Sequence, residues 1–348
     1  PRSSAGFGEL READVAFVFG CDPTRSHPLV KTDLVQAVVH RGACLVVAHP
    51  VAGGLDRHAA RVVHLAAGSE HVLLCAVAAR LLAVGEGCRE QVESLPGSKA
   101  WFESIEHYSS DSVVRAIGVG AGEIDDIASR LGAAKRPLLI MGTGSGVPGD
   151  EAATARAAAS LAAVLGKTAG LLVLGGRSNV QGLVDVGLHP QLLPGHRQLT
   201  RAAELERLTG RSTVSEPGWT MSDWVAAGPG ATAGLLLLGV DPVDLLPRGE
   251  DPRQAIEAVR FSVVVDAFLT STAGRADVVF PAAILSEREG TTVGADGVRR
   301  PLRRAIDPPP GVWSDTEILG EISRRMGAQL PSGAELIEEI DRVVGWGW

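Results

Sequence analysis

The feature that most constrains this chain is the alternation of short apolar runs with longer stretches of helical period. The stretches of helical period, which predict helices, lie at residues 32–40, 70–82, 122–131, 151–165 and 315–326. The apolar runs, which predict strands, lie at residues 15–20, 44–48, 137–141, 170–174, 235–238 and 262–265. Runs this continuously apolar are typical of parallel strands covered on both faces. The alternation therefore predicts an α/β fold with doubly wound, mostly parallel, Rossmann-like sheets.

Composition excludes several classes of protein. The chain has 348 residues, of which 45% are hydrophobic and 21% charged, and its net charge is −8. This balance excludes a disordered chain, a collagen-like repeat and a small disulfide scaffold. The longest apolar stretches, 72–85 and 231–240, are too short for direct membrane insertion. An acidic chain without a basic run is not expected to bind nucleic acid.

The cysteines and histidines show no metal-binding spacing. Cys21, Cys44, Cys75 and Cys88 lie far apart, and no Cys-x-x-Cys pair occurs, so neither zinc nor an iron–sulfur cluster is predicted in this chain. Scattered cysteines favour a reducing cytoplasm. The first residue is Pro1 rather than Met, so we expect the chain to be a piece of a longer polypeptide.

A four-residue pattern, Gly-x-Asp-Pro, occurs twice after a predicted strand. We name its two copies turn 1 (residues 20–23) and turn 2 (residues 239–242). Each is followed by a helix, a second strand and an Ala-x-Val-Val segment at nearly the same separation. One interpretation is coincidence, which any α/β chain can show. The other is two related nucleotide-binding halves, residues 1–174 and 175–348, with pseudo-twofold symmetry and a ligand that spans both turns.

Residues 144–149 have the Gly-x-Gly-x-x-Gly spacing of a dinucleotide-binding loop and follow a predicted strand. The acidic residue expected at the end of the next strand is absent, because that strand is followed by Gly175, Gly176 and Arg177. This difference favours an ordinary strand-to-helix turn over an independent NAD site.

Four segments resemble the molybdopterin oxidoreductase superfamily and occur in that family's order. They are residues 12–50, 178–195, 239–242 and 266–291. Two kinds of member are most similar: the large iron–sulfur subunit of NADH–quinone oxidoreductase (complex I), and the catalytic subunit of formate dehydrogenase. In the latter, a bis-guanine-dinucleotide molybdopterin lies between two pseudo-symmetric α/β domains. The resemblance implies that an N-terminal iron–sulfur region and a C-terminal β-barrel lie outside this chain.

The sequence departs from the cofactor-binding members at three places. An Asp-Pro-Arg that holds a guanosine is replaced by His49, Pro50 and Val51, and an Arg-Gly-Gln is replaced by residues 175–177. Pterin-contacting Asn and Arg-x-Gln are replaced by Gly294 and by residues 299–301. Each lost charge-assisted hydrogen bond is worth about 1.5–3 kcal/mol. These losses favour the large iron–sulfur subunit of complex I, a scaffold for electron transfer from NADH to quinone, over the formate-dehydrogenase-like alternative. A non-redox dinucleotide-binding or structural α/β protein is a second alternative.

This interpretation predicts a degenerate cofactor cleft without catalytic residues or metal ligands. Its predicted residues are Gly20, Asp22, Pro23, Asn179, Gln181, Asp241, Asp266, Thr270 and Thr272, with His49 and Arg177 filling the space of the guanosines. No cofactor is expected in this chain; iron–sulfur clusters belong to the N-terminal region, and molybdopterin belongs only to the formate-dehydrogenase alternative. The expected partners are other subunits of the complex I peripheral arm, at the inner face of the cell membrane, and the chain alone is expected to be inactive.

Overall fold

A computed structural model describes residues 3–143, 151–246, 250–331 and 333–345. The chain divides into two compact units: unit 1 comprises Pro1–Gln181 with Val293–Val298, and unit 2 comprises Gly182–Thr292 with Arg299–Trp348. The sequence predicts two domains, at residues 1–174 and 175–348, related by pseudo-twofold symmetry. These domain bounds and this symmetry stay predictions. The predicted glycine-rich loop at 144–149 lies outside the described residues.

Unit 1 alternates strands with helices. Its strands are β1 (Val15–Phe19), β2 (Cys44–Ala48), β3 (Arg61–Val63), β4 (Pro137–Gly142) and β5 (Gly170–Leu174). Its helices are α1 (Glu9–Glu12), α2 (Pro23–Ser26), α3 (Pro28–Arg41), α4 (Glu70–Ala83), α5 (Arg89–Glu93), α6 (Ser98–Ile105), α7 (Asp111–Ala116), α8 (Ala121–Gly132) and α9 (Glu151–Leu165). Helix α10 (Val180–Asp185) follows at the boundary with unit 2.

The five strands of unit 1 form one parallel sheet in the order β3-β2-β1-β4-β5. All five residues of β1 are buried, and they alternate between the two faces of the sheet. Phe17 and Phe19 pack with α4, α8 and α9 on one face, whereas Ala16 and Val18 pack with α1 and α3 on the other. Helices on both faces bury the sheet, so its strands carry almost no polar residues.

Unit 2 has shorter elements. Its strands are β6 (Leu192–Leu193), β7 (Arg197–Gln198), β8 (Gly234–Leu238), β9 (Phe261–Asp266), β10 (Val278–Pro281), β11 (Gly290–Val293), whose last residue belongs to unit 1, and β12 (Arg299–Leu302). Its helices are α11 (Ala202–Thr209), α12 (Met221–Ala226), α13 (Pro242–Leu245), α14 (Glu250–Glu257), α15 (Asp315–Arg325) and α16 (Gly333–Val344).

The main sheet of unit 2 is parallel, with three strands in the order β10-β9-β8. Strand β9 lies in the centre, where Val264 and Val265 are buried. Strand β8 lies at the edge, and Leu236 and Leu238 are 45% and 42% exposed. The core of unit 2 is therefore less complete around β8 than the core of unit 1 is around β1.

The predicted α/β class with mostly parallel sheets is confirmed. Strands β2 and β5 and helix α9 have the predicted bounds. Strand β1 ends one residue earlier than predicted, because Gly20 takes a φ of +65° and leaves the extended conformation. Helix α3 begins at Pro28, four residues earlier than predicted, since proline is favourable at the first position of a helix.

Candidate functional site

Turn 1 reverses the chain at the end of β1. Asp22 is the N-cap of α2, and one of its carboxylate oxygens, Oδ1, accepts a hydrogen bond of 3.0 Å from the backbone N–H of Thr24. Pro23 occupies the first helical position. An acidic cap followed by proline is a favourable start for a helix, so the sequence of turn 1 determines its local conformation.

A cavity of about 500 Å³ opens beside turn 1, at the carboxyl ends of β1 and β2. In parallel α/β sheets this edge is the usual place for a ligand. Its volume lies within the range of pockets that hold small molecules. The residues that line this cavity, which we name the β1–β2 pocket, are Gly20, Cys21, Asp22, Thr24, Arg25, His49, Pro50, Val51, Ala52, Gly53 and Gly54.

The Asp22 carboxylate has acceptor capacity left over in this pocket. Its Oδ2 atom lies 3.5 Å from the backbone nitrogen of Gly54, at the outer limit of a hydrogen bond. Each carboxylate oxygen can accept two hydrogen bonds. Asp22 therefore makes one firm bond, to the N–H of Thr24, and presents its other oxygen to the pocket.

His49 lines the same pocket, and its side chain is committed to a partner. The side chain is almost fully buried, and its Nε2 lies 2.9 Å from Oδ1 of Asp56. The other oxygen of Asp56 accepts a bond of 2.9 Å from the N–H of Gly53. Although burial alone raises the pKa of Asp56, the hydrogen bonds from Gly53 and His49 lower it overall. The His49–Asp56 pair thus holds the loop that follows β2.

Close packing over Thr24 explains a glycine in that loop. A Cβ atom at Gly54 would lie 2.5 Å from the Thr24 hydroxyl oxygen. The same hydroxyl is buried and has no hydrogen-bond partner. Since buried polar atoms are nearly always paired, this hydroxyl is an exception, and it lies beneath the backbone of Gly54 rather than open to the pocket.

In turn 2 both oxygens of the corresponding aspartate accept hydrogen bonds within the protein. Oδ1 of Asp241 accepts from the backbone N–H groups of Val243 and Asp244, at 3.1 and 3.4 Å, and from the hydroxyl of Thr272. Its Oδ2 accepts from the N–H of Ser271 at 3.2 Å. Burial alone raises the pKa of Asp241, but these hydrogen bonds, led by that of Thr272, lower it overall. Thr272 is itself fully buried.

The loop after β9 carries the other predicted residues of unit 2. Asp266 accepts a bond of 2.9 Å from the N–H of Phe268, and the Thr270 hydroxyl accepts one of 3.1 Å from the N–H of Ala273. Both side chains stabilise turns of this loop. Phe268 and Leu269, between them in sequence, are largely exposed.

Asn179 and Gln181 lie at the start of α10. Asn179 has a φ of +59°, a conformation that asparagine tolerates better than most residues, and its Oδ1 accepts a bond of 2.9 Å from the N–H of Val293. Gln181 is half-buried in the first turn of α10. The predicted site residues are thus divided between unit 1 and unit 2, and their common cleft stays a prediction.

Among the described residues, no group of three or more His, Cys, Asp or Glu side chains could hold a metal ion. Over the same part of the chain, no helix is both long enough and apolar enough to cross a membrane.

Comparison with known proteins identifies the family. The profile of the molybdopterin oxidoreductase family matches residues 2–325. The chain belongs to the molybdopterin oxidoreductase family. Its fold is also similar to that of acetylene hydratase from Pelobacter acetylenicus, with a TM-score of 0.73 and 19% identity, covering 99% of this chain and 52% of that one.

Two curated relatives have names that describe oxidoreductases. Formate dehydrogenase H of Escherichia coli is 29% identical over 334 residues, which cover 93% of this chain and 47% of the relative. The alpha subunit of an NADPH-Fe(3+) oxidoreductase of Geobacter sulfurreducens is 27% identical over 355 residues, covering 98% of this chain and 41% of the relative. This molybdopterin oxidoreductase chain therefore spans about half the length of these relatives.

The sequence interpretation missed residues in and beside the β1–β2 pocket of this family member. It did not single out Thr24, which lines the pocket, or Asp56, which pairs with His49, or the contact between Thr24 and Gly54. The consecutive glycines after β2 were the available signal, because paired glycines often mark close approach of the backbone to another group.

Two further buried acidic residues were also missed. Asp185, at the end of α10, is fully buried and lies 2.5 Å from Nε2 of His196. Glu70, in the first turn of α4, is almost fully buried, and its Oε1 atom has no hydrogen-bond partner. Sequence spacing does not reveal either position, because both depend on tertiary packing.

Proposed function

We propose that this chain is part of the catalytic subunit of a formate-dehydrogenase-like molybdopterin oxidoreductase. The observation that carries the proposal is the family match over residues 2–325 together with a formate dehydrogenase among the relatives. Relatives of this kind support the formate-dehydrogenase alternative better than the large iron–sulfur subunit of complex I, which stays a prediction together with its peripheral-arm partners. The family match also favours a redox role over the non-redox alternative.

The β1–β2 pocket supports the binding of the nucleotide end of the family's cofactor. The pocket has the volume of a small-molecule site and an acceptor in Asp22. This acceptor fits a nucleoside, which offers hydroxyl and N–H donors. In unit 2, Asp241 and Thr272 already bond to one another, so they fit a supporting role.

The chain's own residues would bind and orient the cofactor. When bound, the molybdenum centre would supply the exchange of electrons with a substrate. Asp22 would hold the nucleoside, and the loop held by His49 and Asp56 would cover it. The replacement of the family's Asp-Pro-Arg by residues 49–51 does not empty the pocket of polar groups, since Asp22 lines it too.

The test is the cofactor content of the chain. The 348-residue chain would be produced in a host that makes guanylated molybdopterin and, as a control, in the same host without cofactor synthesis. We expect molybdenum, oxidised pterin and acid-released GMP in the first preparation only, and no formate, NADH or quinone turnover by the chain alone. Equal, background levels of all three in both preparations would contradict the proposal and favour the complex I prediction.

A further inference from the structure

We propose that unit 2 contains a further binding site, a pocket between α11 and α16 that takes a small, uncharged, apolar molecule. We name it the α11–α16 pocket. Its volume is about 440 Å³, within the range of sites that hold small molecules. Its lining residues all belong to unit 2, so the site is described within one unit and does not depend on the proposed function of the chain.

One wall of the pocket is the apolar face of α16. Leu336, Ile340, Val343 and Val344 follow one another at helical spacing, and all four line the pocket. Val343 and Val344 pack in a cluster with Leu205 of α11. Leu336, two turns earlier in α16, is 38% exposed. The end of α16 is therefore packed against α11, whereas its beginning leaves an apolar gap.

Two arginines hold the end of α16 in place. Arg197 donates a hydrogen bond of 2.7 Å to the carbonyl oxygen of Val343. Arg299, whose side chain is almost fully buried, pairs with Asp341 at 2.8 Å. Moving the helix into the gap would break a largely buried ion pair, which is strongly destabilising. The pocket is thus maintained by the bonds around it and does not close by a shift of α16.

The polar groups at the rim of the pocket are already paired within the protein. Arg211 forms an ion pair of 3.1 Å with Glu339, which joins the segment after α11 to α16. The Thr209 hydroxyl donates a bond of 3.0 Å to the carbonyl oxygen of Leu205. A charged ligand would have to compete with Glu339 for Arg211 and give up its hydration against apolar walls. An apolar cavity instead favours an apolar ligand. The pocket therefore selects against charge.

The experiment uses two neighbouring residues of α16 as a matched pair. Leu336 and Ile337 are 38% and 36% exposed, but Leu336 lines the pocket and Ile337 does not. Leu336→Glu and Ile337→Glu both introduce a good helix former at a partly exposed position, so both variants should fold, which circular dichroism checks. The probe is N-phenyl-1-naphthylamine, an uncharged dye whose emission rises in an apolar site. It would be titrated into the full chain and displaced with 1-octanol or octanoate.

We expect the unaltered chain to bind the dye at one saturable site. Leu336→Glu should weaken this binding at least about fivefold, because a carboxylate replaces an apolar part of the wall, whereas Ile337→Glu should leave it within about twofold. Octanoate should require at least about a tenfold higher concentration than 1-octanol to displace the dye. No saturable binding, equal binding by the two glutamate variants, or equal displacement by octanoate and 1-octanol would each overturn the proposal.

Glu339→Gln tests the source of the selection against charge. This variant leaves Arg211 without its charged partner, so the guanidinium can pair with the carboxylate of octanoate. We expect the difference between octanoate and 1-octanol to shrink at least about threefold, with dye binding unchanged within about twofold. An unchanged difference would overturn the role of the Arg211–Glu339 pair in excluding charged ligands.

Discussion

Turn 1 and turn 2 have the same sequence pattern and the same local structure but different surroundings. In both, an aspartate caps a short helix and a proline takes the first helical position. In turn 1 the carboxylate makes one firm hydrogen bond and faces a cavity of about 500 Å³. In turn 2 the carboxylate accepts from four donors of its own unit.

The difference in bonding between the two carboxylates arises from the loop that follows the neighbouring strand of the sheet. After β9, Ser271 and Thr272 approach turn 2 and donate to Asp241. After β2, the corresponding approach to turn 1 is made by Gly54, which has no side chain and whose N–H is 3.5 Å away. The Gly-x-Asp-Pro pattern therefore determines that the aspartate caps the following helix. A loop far away in sequence determines whether the second carboxylate oxygen accepts a hydrogen bond within the protein or is available to a ligand.

The largest expected effect comes from removing each carboxylate. Asp241→Ala removes the acceptor of the buried Thr272 hydroxyl and of three backbone N–H groups, so we expect it to lower the free energy of unfolding by about 2–3 kcal/mol. Asp22→Ala removes one helix cap and should cost about 1 kcal/mol. Urea unfolding of both variants, followed by circular dichroism, measures the difference.

Tryptophan fluorescence gives a second measure of the unfolding of turn 2. Trp224, one of six tryptophans, lies in the same buried cluster as Val243, two residues after Asp241, so the unfolding transition seen in tryptophan emission should occur at a lower urea concentration in Asp241→Ala. Equal losses of stability in the two alanine variants would contradict the distinction between Asp241, whose two oxygens both accept firm hydrogen bonds, and Asp22, of which only one oxygen does.

A smaller effect is expected when the pH is lowered, on the stability that the charge of Asp241 contributes. Burial tends to raise the pKa of Asp241, but its hydrogen bonds from Thr272 and the backbone lower it overall. A carboxylate whose folded pKa is lowered stabilises the protein above its unfolded pKa, about 3.9, and this stabilisation is lost as the pH falls through the folded pKa. The stability advantage of the unaltered chain over Asp241→Asn should therefore be constant from about pH 5 to 7 and shrink below about pH 4. Urea midpoints across this range measure it, and parallel curves down to about pH 2.5 would show that the charge of Asp241 does not contribute.

The sequence predicts the sheet of unit 1 well for a physical reason. Strands such as β2 and β5 are buried on both faces, so their apolar character is visible in five consecutive residues. Helix α9 has a similarly clear signal in its alanine-rich run. The shorter elements of unit 2, such as the hairpin strands β11 and β12, carry mixed polar and apolar residues and were not predicted.

The candidate site was predictable only in part. Both caps, Asp22 and Asp241, follow from the local pattern. The pairing of His49 with Asp56 depends on the path of a loop, and the donation from Thr272 to Asp241 joins residues 31 positions apart. Such contacts are set by tertiary packing, which local periodicity does not encode. For the same reason, the predicted equivalence of the two turns does not extend to the bonding of their carboxylates.

The smallest expected effect is that of Asp22→Asn at neutral pH, for which Asp241→Asn is the comparison. In turn 1 the amide oxygen still caps α2, so the free energy of unfolding of Asp22→Asn should stay within about 0.5 kcal/mol of the unaltered chain. In turn 2 both oxygens of Asp241 accept hydrogen bonds. The amide NH₂ group of Asp241→Asn would therefore face a donor, either the N–H of Ser271 or the donors to the other oxygen. Asp241→Asn should lower the free energy of unfolding by about 1–2 kcal/mol. Urea unfolding at neutral pH distinguishes the two values. If Asp22→Asn is destabilised as much as Asp241→Asn, the second oxygen of Asp22 is already engaged in the folded protein, and turn 1 has no spare acceptor to offer a ligand.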